Sequence, residues 1–260
     1  MPNVDKHPPG SFCWIELATT DQNAAKSFYT SLFGWSVTDN PMGPDEIYSI
    51  FQINGRDAAA GYTLRKDQRE RGVPVHWTLY ISSDSADQTV ARTTQAGGSV
   101  IMPAFDVMDM GRMAVLHDPT GAVFCVWQPK KNQGLGIAGE QGTLCWADLS
   151  TADPERAAKF YSAVFGWKLE RGEKDPSGYL HIKNGEHYIG GVPPPAHRDP
   201  KMPSHWLLYF LVSDPVATAA KAAQLGGKTI MPATAMAGVG TWAILADPQG
   251  AVFAVFKSER

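Results

Sequence analysis

The 260-residue sequence predicts an α+β fold that contains a duplicated unit. Three observations support this prediction. Motifs from the first half return in the same order in the second half. Within each half, segments that alternate with period two surround segments with helical periodicity. The helical segments are bracketed by Asp at the start and Gly at the end. The pattern β-α-β-β-β occurs four times, and helices are therefore expected to cover one side of curved sheets.

The repeat is visible in long matching segments. The sequence "CWIELATTD", which begins at Cys13, returns as "CWADLSTAD" at Cys145, and "AAKSFYTSLFGW" returns as "AAKFYSAVFGW". "DPTGAVF" and "DPQGAVF" match near the end of each copy. We therefore expect one unit over residues 11–128, a Gly-, Gln- and Lys-containing linker over 129–142, and a second unit over 143–257.

In the first unit, Asp21 is expected to cap a helix that ends at Gly34, and Asn54-Gly55 is a strong hairpin signal. The charged stretch 65–72 reads as a solvated connection, after which a second helix is expected over 84–96. The predicted strands of this unit are 12–19, 35–37, 47–53, 58–64, 76–82, 100–102, 113–116 and 122–127. The second unit repeats this order.

Composition excludes several classes of protein. The net charge of −3 gives no electrostatic reason to bind nucleic acid or an anionic membrane. The N-terminus has no signal pattern and no apolar run could span a bilayer, so a cytoplasmic location is expected. The three cysteines (Cys13, Cys125 and Cys145) lack metal-site spacing and are expected to be buried thiols.

The motif "D…AAxFYxxxxGW" on the first helix and "DPxGxxF" before the last strand resemble the glyoxalase / bleomycin-resistance / dioxygenase (vicinal oxygen chelate) superfamily. The similarity is greatest to two-unit members from actinobacteria and mycobacteria, described as antigens or hydroxylases. It implies four βαβββ modules, each pair of which forms a cupped mixed sheet with helices outside and a ligand or metal site inside. This fold hosts isomerases, dioxygenases and drug-binding proteins, so the resemblance does not fix the chemistry.

The resemblance also implies where metal ligands would lie. The first-strand ligand position is Trp14 in one unit and Trp146 in the other, and the last-strand position is Cys125 or Ala254. The middle ligand falls at His76 or two residues later. This donor set is incomplete, so we predict no metal and no other cofactor. A divalent metal on shifted carboxylate and His ligands remains an alternative.

Strand alternation assigns side chains to faces without reference to the family. It places one carboxylate, one His, one Tyr and one Trp of each unit on the expected ligand face, called the cup below. The predicted acid–base residues are Glu16 and His76 in the first unit and Asp148 and His205 in the second. The predicted ligand contacts are Trp14, Thr78, Tyr80, Cys125, Trp146 and Tyr209. Alternatively, each His satisfies only a local hydrogen bond.

These features predict a protein that handles a small molecule, without the usual metal ligands and with a His–carboxylate pair in each cup. Two alternatives stay open: a metal-dependent glyoxalase, lyase or dioxygenase with shifted ligands, and a protein that sequesters a drug or metabolite. Whether the chain is an enzyme is left open. The expected partner is a small-molecule ligand, and the chain is expected to be a monomer or a homodimer.

Overall fold

A computed structural model describes residues 4–44, 46–172 and 177–259. Within these ranges, the first unit contains eight strands and three helices. They are β1 (Phe12–Thr19), α1 (Gln22–Phe33), β2 (Ser36–Pro41), β3 (Ile47–Ile53), β4 (Arg56–Thr63), α2 (Lys66–Glu70), β5 (His76–Ser82), α3 (Ala86–Gln95), β6 (Ser99–Val107), β7 (Gly111–His117) and β8 (Val123–Pro129).

The second unit repeats this order with one difference, because a single turn of 3-10 helix at Pro195–His197 stands where α2 stands in the first unit. Its elements are β9 (Leu144–Ser150), α4 (Pro154–Phe165), β10 (Lys168–Arg171), β11 (Leu180–Asn184), β12 (His187–Val192), β13 (His205–Leu211), α5 (Pro215–Gln224), β14 (Lys228–Met236), β15 (Gly240–Ala246) and β16 (Val252–Ser258).

Each unit forms one eight-stranded mixed sheet. The strand order is β2-β3-β4-β1-β5-β8-β7-β6 in the first and β10-β11-β12-β9-β13-β16-β15-β14 in the second. The two modules of a unit meet at the central antiparallel pair, β1 with β5 or β9 with β13. The predicted α+β fold of four βαβββ modules is confirmed. None of the helices in the described ranges is long and apolar enough to cross a membrane.

Local sequence explains the ends of these elements. The Asp21 side chain accepts a hydrogen bond from the Ala24 backbone at 2.9 Å and caps α1, which ends at Gly34 with φ +74°. Asn54 and Gly55 both have positive φ, as a two-residue hairpin turn between β3 and β4 requires. The connection over 65–72 is largely exposed, as expected, but it contains the short helix α2, which was not predicted from the sequence. The Gln68 side chain accepts a hydrogen bond from the Arg65 backbone N–H at the start of this helix.

The four longer helices, α1, α3, α4 and α5, lie between the two sheets, on the faces opposite to the cups. Tyr29 on α1 stacks on Trp35 of its own unit at 5.7 Å and lies 5.7 Å from Phe253 in the second unit. In the same region, Phe33 stacks on Phe210 with ring centroids 5.0 Å apart. The helices therefore join the two units through one continuous aromatic core.

Two reciprocal polar networks cross this core. The Tyr29 hydroxyl donates to Asp247 Oδ2 at 3.1 Å and accepts from Trp77 Nε1 at 3.0 Å. Its counterpart Tyr161 donates to Asp118 Oδ2 at 3.1 Å and accepts from the Trp206 indole. The other oxygen of each Asp accepts hydrogen bonds from backbone N–H groups of its own "DPxG" turn. The two repeat motifs, "FY" and "DPxG", thus bind each other across the units.

Two glycines that directly precede the predicted units, Gly10 and Gly142, make equivalent contacts. Gly10 donates to the Ser82 carbonyl and accepts from Trp167 Nε1. Gly142 likewise donates to a β13 carbonyl and accepts from Trp35 Nε1. Each unit therefore begins with an equivalent segment that contacts the other unit. This equivalence is not apparent from the sequence, because backbone atoms of the two segments make the contacts.

Candidate functional site

The cup of the first unit, cup 1, contains a carboxyl held by two tyrosines. Tyr48 on β3 donates to Glu16 Oε2 at 2.6 Å, and Tyr80 on β5 donates to Glu16 Oε1 at 3.0 Å. Trp14, two residues before Glu16 on β1, donates its indole N–H to the Tyr48 hydroxyl at 3.0 Å. Trp14 and Glu16 lie on the same face of β1, because side chains alternate along a strand and Ile15 between them packs into the core on the helix side.

The cup of the second unit, cup 2, repeats this centre with a shorter acid. Tyr179 donates to Asp148 Oδ1 at 2.5 Å, and Tyr209 donates to Asp148 Oδ2 at 2.9 Å. The Trp146 indole donates to both the Tyr179 hydroxyl, at 2.8 Å, and Asp148 Oδ1, at 3.1 Å. Each cup therefore holds the same carboxyl–tyrosine centre: one acid, two tyrosines and one tryptophan.

A glycine compensates for the shorter acid of cup 2. Gly191 on β12 lies beside Asp148 in parallel register, and Ala60 on β4 lies beside Glu16 in the same way. A Cβ added at Gly191 would lie only 1.9 Å from the Tyr179 hydroxyl oxygen. The missing side chain therefore gives the Tyr179 ring the room it needs to reach Asp148.

The surroundings of the two carboxyls favour their neutral forms. Burial raises the pKa of Glu16 and of Asp148, while the hydrogen bonds from the tyrosines act in the opposite direction. The pKa values of Tyr48 and Tyr179 lie well above the usual range, because burial and the adjacent acids disfavour the phenolate. The tyrosines therefore act as hydrogen-bond donors, and the carboxyl is the group that can exchange a proton.

The predicted His–carboxylate pairs do not form. His76 makes its ring hydrogen bond with the Pro74 carbonyl at 2.8 Å, and His205 makes the equivalent bond with the Pro203 carbonyl at 2.9 Å. Across the described residues, Glu16 is hydrogen-bonded to tyrosines and not to His76. Burial lowers the pKa of His76. Within the described residues no hydrogen bond joins His76 to Glu16 or His205 to Asp148, and a proline carbonyl two residues earlier holds one nitrogen, Nδ1, of each ring; an acid–base role of the two histidines stays a prediction.

The remaining predicted ligand contacts of cup 1 lie on its face. Thr78 is the register partner of Glu16, and Cys125 on β8 is the register partner of Tyr80. Burial raises the pKa of Cys125 well above its usual value, with a further contribution from the charge of Glu16. Cys125 is therefore a thiol that fills the cup floor, and its role in binding stays a prediction.

Sequence reasoning missed Tyr48 and Tyr179, which complete the two centres. Tyr48 and Tyr179 lie 131 residues apart in the sequence. Because small insertions in the flanking loops shift the surrounding motifs, aligning the two units on their Asn-Gly hairpin turns places these tyrosines one residue out of register. His181, which was not among the predicted site residues, also lies in cup 2. Its ring contacts Tyr179 at 5.0 Å and Trp146 at 6.4 Å between centroids.

The residues present do not fit the metal centre that the fold family implies. In the ranges that the structure describes, no group of three or more His, Cys, Asp and Glu side chains could hold an ion. Trp14 occupies the first-strand ligand position, and both oxygens of Glu16 accept tyrosine hydroxyls. The alternative with shifted ligands has no structural support either, since His76 is not paired with Glu16.

A separate groove of about 330 Å³ lies between the two units, away from the cups. Pro9, Ser83 and Arg92 line it, together with Phe165 from the end of α4. It mixes polar and apolar side chains and contains no carboxyl–tyrosine centre, so the cups remain the better candidate site.

Both units match one family. Residues 11–126 and 143–255 match the model of the Glyoxalase/Bleomycin resistance protein/Dioxygenase superfamily, and the chain belongs to this superfamily. It is 42% identical to "Putative glyoxylase CFP32" of Mycobacterium tuberculosis, over 99% of this chain and 98% of the relative. It is 33% identical to "Anthracycline biosynthesis protein DnrV" of Streptomyces peucetius, over 98% of this chain and 95% of that protein.

Solved structures show the same fold at lower identity. A Mn(II)-bound glyoxalase from Novosphingobium aromaticivorans has a TM-score of 0.65 at 15% identity, covering 99% of this chain and 83% of its own. The 2,3-dioxygenase LapB from Pseudomonas sp. KL28 has a TM-score of 0.64 at 16% identity, covering 99% of this chain and 93% of its own. These similarities establish the fold, and the chemistry has to be inferred from the residues of the site.

Proposed function

We propose that this protein binds a small, largely apolar molecule that carries hydroxyl or carbonyl oxygens, and that it does so in a cup and without a metal. The observation that carries this proposal is the carboxyl–tyrosine centre, which both units build with the same geometry from Glu16 or Asp148. An oxygen-bearing ligand can hydrogen-bond to the acid, while aromatic rings around it provide stacking surfaces.

Apolar side chains beside the centre support this class of ligand. On β7, Met113 and Val115 alternate with the buried Ala114 and Leu116, so they face the cup. Their register partners on the edge strand β6 are Phe105 and Met102. Both partners are more than a third exposed. Methionine-rich surfaces adapt to ligands of different shape. The named role of DnrV in anthracycline biosynthesis is consistent with a planar aromatic ligand.

Proton-transfer catalysis is a second candidate. Burial raises the pKa of Asp148, and a carboxyl with a raised pKa can give or take a proton nearer to neutral pH. This candidate requires that the protein converts a bound ligand into a product, whereas the binding proposal does not.

The test uses quinizarin (1,4-dihydroxyanthraquinone), a planar molecule with two hydroxyls and two carbonyls, in equilibrium dialysis against the full chain. We expect saturable binding that persists in EDTA. Asp148→Leu removes the polar centre of cup 2, and Glu16→Leu that of cup 1; at least one should weaken binding by about tenfold or more. Glu155→Gln, at an exposed position in the first turn of α4, is the matched control and should bind normally.

Binding that disappears in EDTA and returns with a divalent ion would contradict the metal-free proposal. Unchanged binding in both leucine variants would place the ligand outside the cups. Conversion of quinizarin or a related hydroxyketone to a new product by the wild type, but not by Asp148→Asn, would favour the catalytic candidate.

A further inference from the structure

A short exposed segment covers cup 1 and is joined to the sheet at few points. We infer that residues 65–73, which contain α2, form a lid over cup 1, and that the Gln68 side chain is the latch of this lid. When the lid opens, a ligand with a hydroxyl or carbonyl oxygen takes the place of Gln68 at the Tyr62 hydroxyl. This inference rests on the proposed function and specifies the entrance of the site and one group that contacts the ligand.

The contact with Tyr62 places the lid on the concave face of cup 1. Tyr62 on β4 is the register partner of both Tyr48 and Ala18. Ala18 lies two residues after Glu16 on β1, so these side chains share the cup face. The Gln68 amide of α2 donates to the Tyr62 hydroxyl at 3.3 Å. The lid therefore lies on the cup side of the sheet and not on the helix side.

The floor of cup 1 is closed to solvent in this structure. Ala18, Trp14 and Tyr80 are 0%, 5% and 4% exposed, although all three lie on the concave face. Both oxygens of Glu16 accept hydrogen bonds from tyrosine hydroxyls. A ligand can therefore reach this floor only after a covering segment has moved, and the least firmly held segment is the first to consider.

The lid is held together internally and is only weakly joined to the sheet. Its ion pairs, such as that between Asp67 and Arg71, connect residues of the lid to one another, and its backbone hydrogen bonds do the same. No residue of α2 is buried. Among the described residues, the bond from Gln68 to Tyr62 is the one side-chain hydrogen bond that joins the lid to the rest of the chain. A single bond between neutral groups contributes little, so a ligand can replace it.

Both ends of the lid are fixed, so that its middle can move as a flap. Leu64, directly before the lid, is buried and donates its backbone N–H to the Thr19 carbonyl at 2.7 Å. Pro74, directly after the lid, is held through its carbonyl by His76 Nδ1 at 2.8 Å. Two fixed ends and a weakly joined middle are the arrangement of a hinged lid.

Opening the lid uncovers one donor and one acceptor on the two sides of Ala18. The Tyr62 hydroxyl accepts from Gln68, but its own hydrogen has no acceptor among the described residues. His76, the register partner of Ala18 on β5, donates from Nδ1 to a carbonyl, so Nε2 of its neutral ring is an acceptor. Burial lowers the pKa of His76 and so favours the neutral ring. A ligand that carries both a carbonyl and a hydroxyl, as quinizarin does, matches this pair.

Gln68→Ala removes the latch and leaves the Tyr62 hydroxyl in place. A detached helix of five residues is not stable, so the open lid becomes a substrate for trypsin at its lysine and arginine residues. We expect trypsin to cleave within 65–73 about fivefold faster than in the wild type. In equilibrium dialysis, quinizarin should bind about fivefold more tightly, because no side chain competes for Tyr62. Glu70→Gln, at an exposed position of α2, is the matched control and should equal the wild type in both assays.

Tyr62→Phe breaks the same latch and also removes the hydroxyl that the ligand contacts. We expect trypsin to cleave its lid as fast as that of Gln68→Ala. Its affinity for quinizarin should be lower than that of Gln68→Ala by about fivefold or more. A contact that is merely structural would give these two variants the same affinity, so the comparison separates a latch from a structural bond.

The outcomes separate the two proposals. If quinizarin binds saturably neither to the wild type nor to Gln68→Ala, the proposed function fails, and the rate of trypsin cleavage still tests the latch. If quinizarin binds, but Gln68→Ala is cleaved at the wild-type rate or shows no gain in affinity, ligand binding stands and the lid is wrong. Equal affinities of Gln68→Ala and Tyr62→Phe would contradict the ligand contact at Tyr62.

Discussion

Substitution of Gly191 by Ala tests how closely the second centre depends on one missing side chain. The added Cβ would lie 1.9 Å from the Tyr179 hydroxyl oxygen and 2.1 Å from Cζ of the same ring. These distances are far inside contact range, so Tyr179 has to leave Asp148. The backbone of Gly191 is not in the left-handed region, so the clash and not backbone strain determines the effect.

The magnitude follows from two terms. Loss of a hydrogen bond to a charged or partly charged carboxyl costs about 1.5–3 kcal/mol, and overpacking in a buried site costs about 1–3 kcal/mol. We therefore expect Gly191→Ala to lower the free energy of unfolding by roughly 3–5 kcal/mol. For a chain of this size, that corresponds to a decrease in Tm of roughly 10 °C.

The assay is urea unfolding monitored by tryptophan fluorescence, together with calorimetry. Tyr179→Ala removes the ring that the new methyl group meets, so Gly191→Ala should cost less than about 1 kcal/mol in that background. Ala60→Gly, at the corresponding position of the first unit, is the matched control and should cost only about 1–2 kcal/mol from a lost methyl group and a strand glycine. An equal cost of Gly191→Ala with and without Tyr179 would refute this explanation.

Three further predictions concern the interface, pH and metal. Tyr29→Phe leaves Asp247 Oδ2 and the Trp77 indole without their partner, so the free energy of unfolding in urea should fall by about 2–4 kcal/mol. The control Tyr188→Phe, at an exposed ring, should lower it by less than about 1 kcal/mol. Equal losses in the two variants would contradict the network. Burial raises the pKa of Asp148 above its ordinary 3.8, so the contribution of this carboxyl to stability is complete below that value and is lost as the pH rises through the raised pKa. Relative to Asp148→Asn, the wild type should therefore lose stability as the pH rises above about 4. Parallel pH profiles of stability for the two proteins would contradict this. Dialysis against EDTA should leave Tm unchanged within about 1 °C; a larger decrease that Mn²⁺ or Zn²⁺ reverses would show a structural metal.

Much of the fold could be predicted from the sequence because its signals are local. The caps at Asp21 and Gly34 and the turn at Asn54-Gly55 each depend on a few neighbouring residues, and the repeat supplies each signal twice. Period-two alternation likewise placed Glu16 and Asp148 on the cup face, where the structure has them.

The site was less predictable because its contacts are not local. Tyr48 reaches Glu16 from two strands away, and no spacing rule connects residues separated by 32 positions. The pairing of His76 with Glu16 failed because a shared face does not establish a contact, and the Pro74 carbonyl lies closer. The interface role of Tyr29 was hidden for the same reason, since its partner Asp247 is 218 residues away.

A crystal structure of the protein with quinizarin bound would test the central claim most directly. It is expected to place a ligand oxygen within about 3.2 Å of the Glu16 or the Asp148 carboxyl, with the anthraquinone ring beside Trp14 or Trp146. Quinizarin bound instead in the groove that Pro9, Ser83 and Arg92 line, with both carboxyls still bonded only to protein groups, would contradict it.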